Sequence, residues 1–111
     1  MVKIEKYRQI VRDFLQEQAK IIPAHGKIKT ETVFDCEADY YLLLHLGWNH
    51  QQRIYGVVIH LEIREEKIWI QQNTTDFSVA EELLARGVSR EDIVLGLKPA
   101  FVRKYTGFGV G

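Results

Sequence analysis

The stretch from Tyr40 to Gln72, YYLLLHLGWNHQQRIYGVVIHLEIREEKIWIQQ, decides the fold. It reads as three long apolar-rich strands joined by two short polar connections, Asn49-His50-Gln51-Gln52 and Glu65-Glu66. Both connections have lengths that antiparallel hairpins use. Closing the first hairpin sets Trp48 opposite Arg53. Carried back along the strands, that register puts Tyr40, Leu42, Leu44, Leu46 and Trp48 on one face with Tyr55, Val57, Ile59, Leu61 and Ile63. Closing the next hairpin adds Ile68 and Ile70. A one-residue slip would move a strand's whole apolar set to the other side, so the agreement predicts one shared inner wall. The opposite face then carries Tyr41, Leu43, His45, Gly47, Ile54, Gly56, Val58, His60, Glu62, Trp69 and Gln71. It is too apolar to be simply solvated, and calls for cover from the C-terminal segment or from another chain.

Flanking segments supply the remaining elements. Ile4, Tyr7, Ile10, Val11, Phe14, Leu15 and Ile22 recur at spacings of three and four, which predicts a helix over residues 3–22 whose stripe covers the inner wall. Pro23, followed by His25-Gly26, ends it. Lys27 to Cys36 alternates as a half-buried strand at the sheet edge, with Val33 out of step. Ser78 and Glu81 form a capping box ahead of a helix over Val79 to Arg86, which stops at Gly87. Ser89 and Asp92 can cap a further short turn carrying Ile93, Val94 and Leu95. Phe101, Val102, Tyr105, Phe108 and Val110 make the tail a docked one. The expectation is a single α+β domain over 1–111: an N-terminal helix on a four-stranded antiparallel meander, then short C-terminal helices and a packed tail.

Composition narrows the function classes. In 111 residues, 15 Lys and Arg balance 15 Asp and Glu, giving a formal net charge of zero. Proteins that hold nucleic acid mainly by phosphate neutralisation usually carry a basic excess, which is missing here. The single Cys36 allows no internal disulfide and fits a reducing compartment. MVKIEKYRQIVRDFLQEQ is charged every few residues and lacks the apolar run of a signal peptide, and no segment is long and apolar enough for a membrane span. A cytoplasmic location is expected.

Candidate chemistry is sparse. His45 and His60 fall on one face in the register above, but His45 faces Gly56 while His60 faces Tyr41 and Gln71, too far apart for one tetrahedral ion. His25 and His50 lie in turns. Cys36 stands between Asp35 and Glu37, whose charges oppose thiolate formation. Asp35, Glu37 and Asp39 could hold a divalent cation, but no glycine or returning ligand completes a calcium loop. Glu62, Glu65, Glu66 and Lys67 resemble a nuclease hairpin only superficially, because two of the acids occupy the turn itself. No catalytic, cofactor-binding or metal-ligating residue is therefore assigned. Lys98, Arg103 and Lys104, interleaved with Phe101 and Tyr105, are the nucleic-acid candidates, since phosphate contact with stacking suits single strands. Tyr41, His45, His60 and Trp69 are the partner-binding candidates, being side chains with an apolar body and a polar tip.

Several strings resemble one family over essentially the whole chain: YRQIVRDFLQEQAK from Tyr7, LGW at Leu46, IYG at Ile54, KIWIQ-N-TD from Lys67 and GVSREDIVLG from Gly87. These are similar to the XisI family, the fdxN element excision controlling factors of cyanobacteria. The resemblance implies an accessory role in programmed DNA excision during heterocyst differentiation, alongside XisH and the recombinase XisF. Because the recombinase performs strand exchange, it also implies a subunit without catalytic residues, acting by protein contact, with DNA touched weakly or indirectly. Direct DNA binding through the basic tail, a homodimer, and a nuclease-like enzyme using Glu62 or Glu66 stand as alternatives.

Overall fold

Helix α1 (Lys3–Ile21) buries Tyr7, Val11, Phe14 and Leu15, the centre of the predicted stripe, against the sheet. The computed structural model describes residues 3–21 and 27–111; the expected helix end at Ile22 and Pro23, and the turn at His25, lie outside the described residues. Strands β1 (Lys27–Asp35), β2 (Tyr40–Asn49), β3 (Gln52–Arg64) and β4 (Lys67–Asn73) form the antiparallel meander. Trp48 faces Arg53 as expected, and the β2–β3 connection tightens to a two-residue turn at His50-Gln51. Glu65 and Glu66 close the next hairpin with φ of 54° and 62°. Both are left-handed, which suits the twist of a two-residue hairpin but not a glutamate.

Beside a β3–β4 shift at His60/Leu61, which sets His60 opposite Gln72 and not Gln71, two departures reshape the sheet. The first is a fifth strand: the short turn after Ser89 forms at Arg90–Asp92, without a side-chain cap, but Ile93–Val94, expected within it, form β5, which pairs parallel to β4 and makes the sheet five-stranded and mixed. Helix α2 (Val79–Ala85) provides the crossover that a parallel neighbour requires. Its N-terminus is capped as predicted, with the Ser78 hydroxyl accepting from the Glu81 amide at 3.2 Å. Gly87, at φ 101°, lets the amides of Gly87 and Val88 return to Leu84 and Leu83.

The second departure is a register shift between β2 and β3. Leu44 faces Val57 as predicted, but Leu43 faces Ile59, leaving Val58 as an extra residue on β3. This bulge reverses the expected facing of β2 against the inner half of β3. Tyr41 and Leu43, not Tyr40 and Leu42, lie opposite Leu61 and Ile59, and both are fully buried under α1. The inner wall therefore consists of Tyr41, Leu43, Ile59, Leu61, Ile63, Ile68 and Ile70 with Val58 beside them, sealed by α1, Val79, Leu83 and Ile93. The carbonyl of Val58 is not idle, since it accepts from the Thr74 amide at 2.9 Å.

Beyond β5, a short helix α3 (Ala100–Arg103) leads into the tail. Gly109 bridges to Val94, and its amide donates to the Ile93 carbonyl at 2.7 Å. A Cβ at Gly109 would stand 2.4 Å from the Glu91 carbonyl oxygen, so only glycine permits this approach. The tail docks as predicted, but through Phe108 and the Gly109 backbone; Phe101, Tyr105 and Val110, expected to dock it, are exposed.

Candidate partner-binding face

With the centre of the sheet's front closed by α1, exposed apolar side chains occur on the sheet's back and in the tail, where Leu97, Phe101 and Tyr105 are exposed. On the back, β1 contributes Lys27, Lys29, Glu31, Val33 and Asp35, in register with Trp48, Leu46, Leu44, Leu42 and Tyr40. Across β2 stand Arg53, Tyr55, Val57, His60 and Glu62. The Tyr40 and His60 rings meet edge-on at 5.8 Å, which confirms that they share this face. Leu42, Leu44, Leu46 and Val57 are half-buried, and around them Val33, Tyr40, Trp48 and Tyr55 are 45%, 45%, 48% and 70% exposed. The Arg53 guanidinium lies 5.4 Å from the Trp48 ring centre and 6.0 Å from that of Tyr55. Aromatic residues and arginine around aliphatic side chains are the composition enriched at the centre of protein interfaces.

The tail covers one end of this back face. Trp69 is held between Arg64, 3.8 Å from its ring centre, and Arg103 at 5.1 Å, while a Cβ at Gly111 would stand 2.9 Å from the ring. Cover from the tail and exposure to another chain were alternatives on the sequence alone; the sheet shows the first at Trp69 and leaves the Leu42–Leu46 area bare.

The four partner-binding candidates do not come together. Tyr41 is buried in the front core and His45 also points forward, opposite Gly56 and Thr30, whereas His60 and Trp69 lie on the back. The Val58 bulge causes this division, because it puts Tyr41 on the side of Leu61 and leaves His60 with Leu42. The two histidines consequently sit on opposite faces, and no grouping of three or more His, Cys, Asp or Glu suited to a metal occurs among the described residues. The ring nitrogens His45 Nε2, His60 Nε2 and Trp69 Nε1 are buried without a hydrogen-bond partner among the described residues.

Polar groups that drew attention in the sequence serve the fold. Asp35 accepts from the amides of Glu37 and Ala38, both at 3.0 Å, and so shapes the acidic turn. Asp39 turns inward, where Arg8 grips both its oxygens at 2.9 Å and the Tyr41 hydroxyl donates to it at 2.8 Å. The Arg8 guanidinium, helped by that hydroxyl, holds the Asp39 carboxyl below its ordinary value, while burial pushes Tyr41 up. A second buried carboxylate, Asp92, accepts from Tyr7 at 2.6 Å and pairs with Lys3 at 3.1 Å. These two latches tie α1 to the β1–β2 turn and to the segment before β5. Sequence reasoning missed them, although Tyr7 and Arg8 at the border of the helix stripe were a signal. Arg86 pairs with Glu17 between the two helices. Cys36 is exposed, with Arg12 Nη1 3.9 Å from its sulfur.

In the basic tail, Arg103 is engaged: its Nε donates to the carbonyls of Leu95 and Lys98 while its guanidinium lies over Trp69. Lys98 and Lys104 are exposed, the latter 5.2 Å from the Tyr105 ring centre. No helix among the described residues is long and apolar enough to cross a membrane.

A small α+β domain, with a helix latched to one face of a mostly antiparallel sheet and an apolar patch bared on the other, is the class these features define. The chain belongs to the XisI family, whose model, described as XisI protein, matches residues 1–110. It is similar to the crystal structure of a XisI-like protein from Anabaena variabilis, at 41% identity over 97% of this chain and 99% of that one, with a TM-score of 0.93. It is also similar to the fdxN element excision controlling factor XisI from the same organism, at 25% identity over 99% of this chain and 100% of that one, with a TM-score of 0.85. No curated protein matches the chain.

Proposed function

We propose that this chain is a non-enzymatic accessory factor for excision of an fdxN-type DNA element, acting by contact with a XisH-like protein and, through it, with the recombinase. The observation that carries the proposal is the bare back of the sheet, where Leu42, Leu44, Leu46 and Val57 are ringed by exposed Tyr40, Trp48 and Tyr55. Large apolar patches of this kind mark interaction sites. Family membership supports the excision role, and Asp39 and Asp92 are both engaged in latches within the fold. The partner surface is thereby moved from the four sequence candidates to the Leu42–Tyr55 area, with His60 at its border. Direct contact with DNA through the tail would rest on Lys98 and Lys104, because Arg103 is held by its own chain.

Co-purification with a XisH-type protein tests this. A complex at micromolar concentration that Leu44→Asp abolishes, with the fold of the variant intact by circular dichroism, is the expected result. Absence of a complex, or a complex indifferent to Leu44→Asp, overturns it.

A further inference from the structure

Strand β1 is an open edge, and its two ends carry opposite charge. The phase of its backbone follows from bonds further into the sheet. The Ile63 amide donates to the Asp39 carbonyl, and a two-residue turn closes Asn49 on Gln52. Backbone groups of Leu43, His45 and Gly47 therefore turn toward β3, and those of Leu42, Leu44 and Leu46 toward β1. The latter meet Val33, Glu31 and Lys29, so the amides and carbonyls of Ile28, Thr30, Thr32 and Phe34 point out of the sheet. Among the described residues no hydrogen bond reaches them.

Edges of this length are normally blunted by charged side chains, a proline, a bulge or a covering segment, and β1 carries the first of these alone. Here β1 runs nine residues without proline and pairs with β2 in unbroken register, while the β2–β3 and β3–β4 ladders each carry a shift. The other edge, β5, has only two residues and is bridged by Gly109. Charge along β1 is ordered as well: Lys27 and Lys29 begin it, and Glu31 and Asp35 follow. A parallel copy of the strand would set like charges together. An antiparallel copy sets lysines against carboxylates.

We infer that two copies of this chain pair through β1, antiparallel and in one continuous sheet. The two-fold axis passes through Thr32, which places Lys29 opposite Asp35 of the second copy, on the back side. An axis at Glu31 is disfavoured, since it would oppose two carboxylates. The zero net charge of the chain leaves no overall repulsion to overcome. Side-by-side pairing also leaves the apolar back of each copy uncovered and doubles it, so this inference goes beyond the proposed partner contact and does not compete with it.

Sedimentation of the full chain across micromolar concentrations tests the pairing, with three single variants. Thr32→Pro removes an outward amide while sparing the β1–β2 ladder, and Lys29→Glu reverses a pairing charge. Each is expected to raise the dimer Kd by about tenfold or more, because every lost contact counts twice across a two-fold axis. Leu44→Asp is expected to leave the dimer intact. A wild-type chain that stays monomeric overturns the inference. So does a dimer that resists both edge variants, or one that only Leu44→Asp disrupts, which would place the second copy on the back face. Where Thr32→Pro fails to fold, Lys29→Glu decides.

Discussion

On the front of the sheet Tyr41, Leu43, Ile59 and Leu61 are completely shielded from solvent, whereas Leu42, Leu44 and Leu46, their neighbours in the chain, stay half-exposed on the back. The two sets differ little in hydrophobicity, and β2 on its own would be content with either face inward. What separates them is what lies opposite. α1 brings four buried side chains and two polar latches to the front, while the C-terminal segment meets the back at Trp69 and Gln71. A sheet this apolar on both sides therefore has one face spent on folding and one left partly uncovered.

The largest expected effect comes from Leu43→Ala beside Leu44→Ala. The first empties a sealed site and should cost about 2–5 kcal/mol, and the second should cost about 1 kcal/mol or less. Urea denaturation measures both, and equal losses would erase the distinction between the faces. Next, Tyr41→Phe keeps the ring in the core but deletes the hydroxyl that donates to Asp39, for a loss of about 1.5–3 kcal/mol. That loss should be seen in the same denaturation series.

Acid probes the same latch. Because Arg8 first and Tyr41 next hold the Asp39 carboxyl below its ordinary value, its contribution is full above the unfolded carboxylate value of about 3.9. It drains away as pH falls through the lower folded value. Asp39→Asn should flatten the decline of Tm in acid, and an unchanged slope would detach the carboxylate from stability. The smallest effect is a gain: Glu66→Gly relieves a left-handed glutamate in the β3–β4 turn and should add about 0.5–1 kcal/mol without touching either face.

Much of this was legible one element at a time. The stripe of α1, the hairpin closures at Trp48–Arg53 and Glu65-Glu66, the Ser78 cap and the docked tail all follow from local rules, and each is present. The bulge was not. Gly56-Val57-Val58-Ile59 offers three consecutive apolar residues, a place where alternation loses count, and nothing in periodicity says which one is the extra. The candidate site inherited that error: His60 and Trp69 kept the face they share, while Tyr41 and His45 went to the other. Strand β5 was hidden for a different reason, since two residues are too short for any period and pair only because α2 returns the chain beside β4.

The amino-acid order by itself determined the parts, their sequence and their turns, because capping, hairpin closure and amphipathic period depend on neighbours within a few residues. Which face of β2 is core and which is free was decided only in three dimensions. One extra residue at Val58, anchored by Thr74 and compensated by the close fit of Tyr41 and Leu43 under α1, shifts the pairing by a single step. In a ladder of period two, a single step exchanges inside for outside.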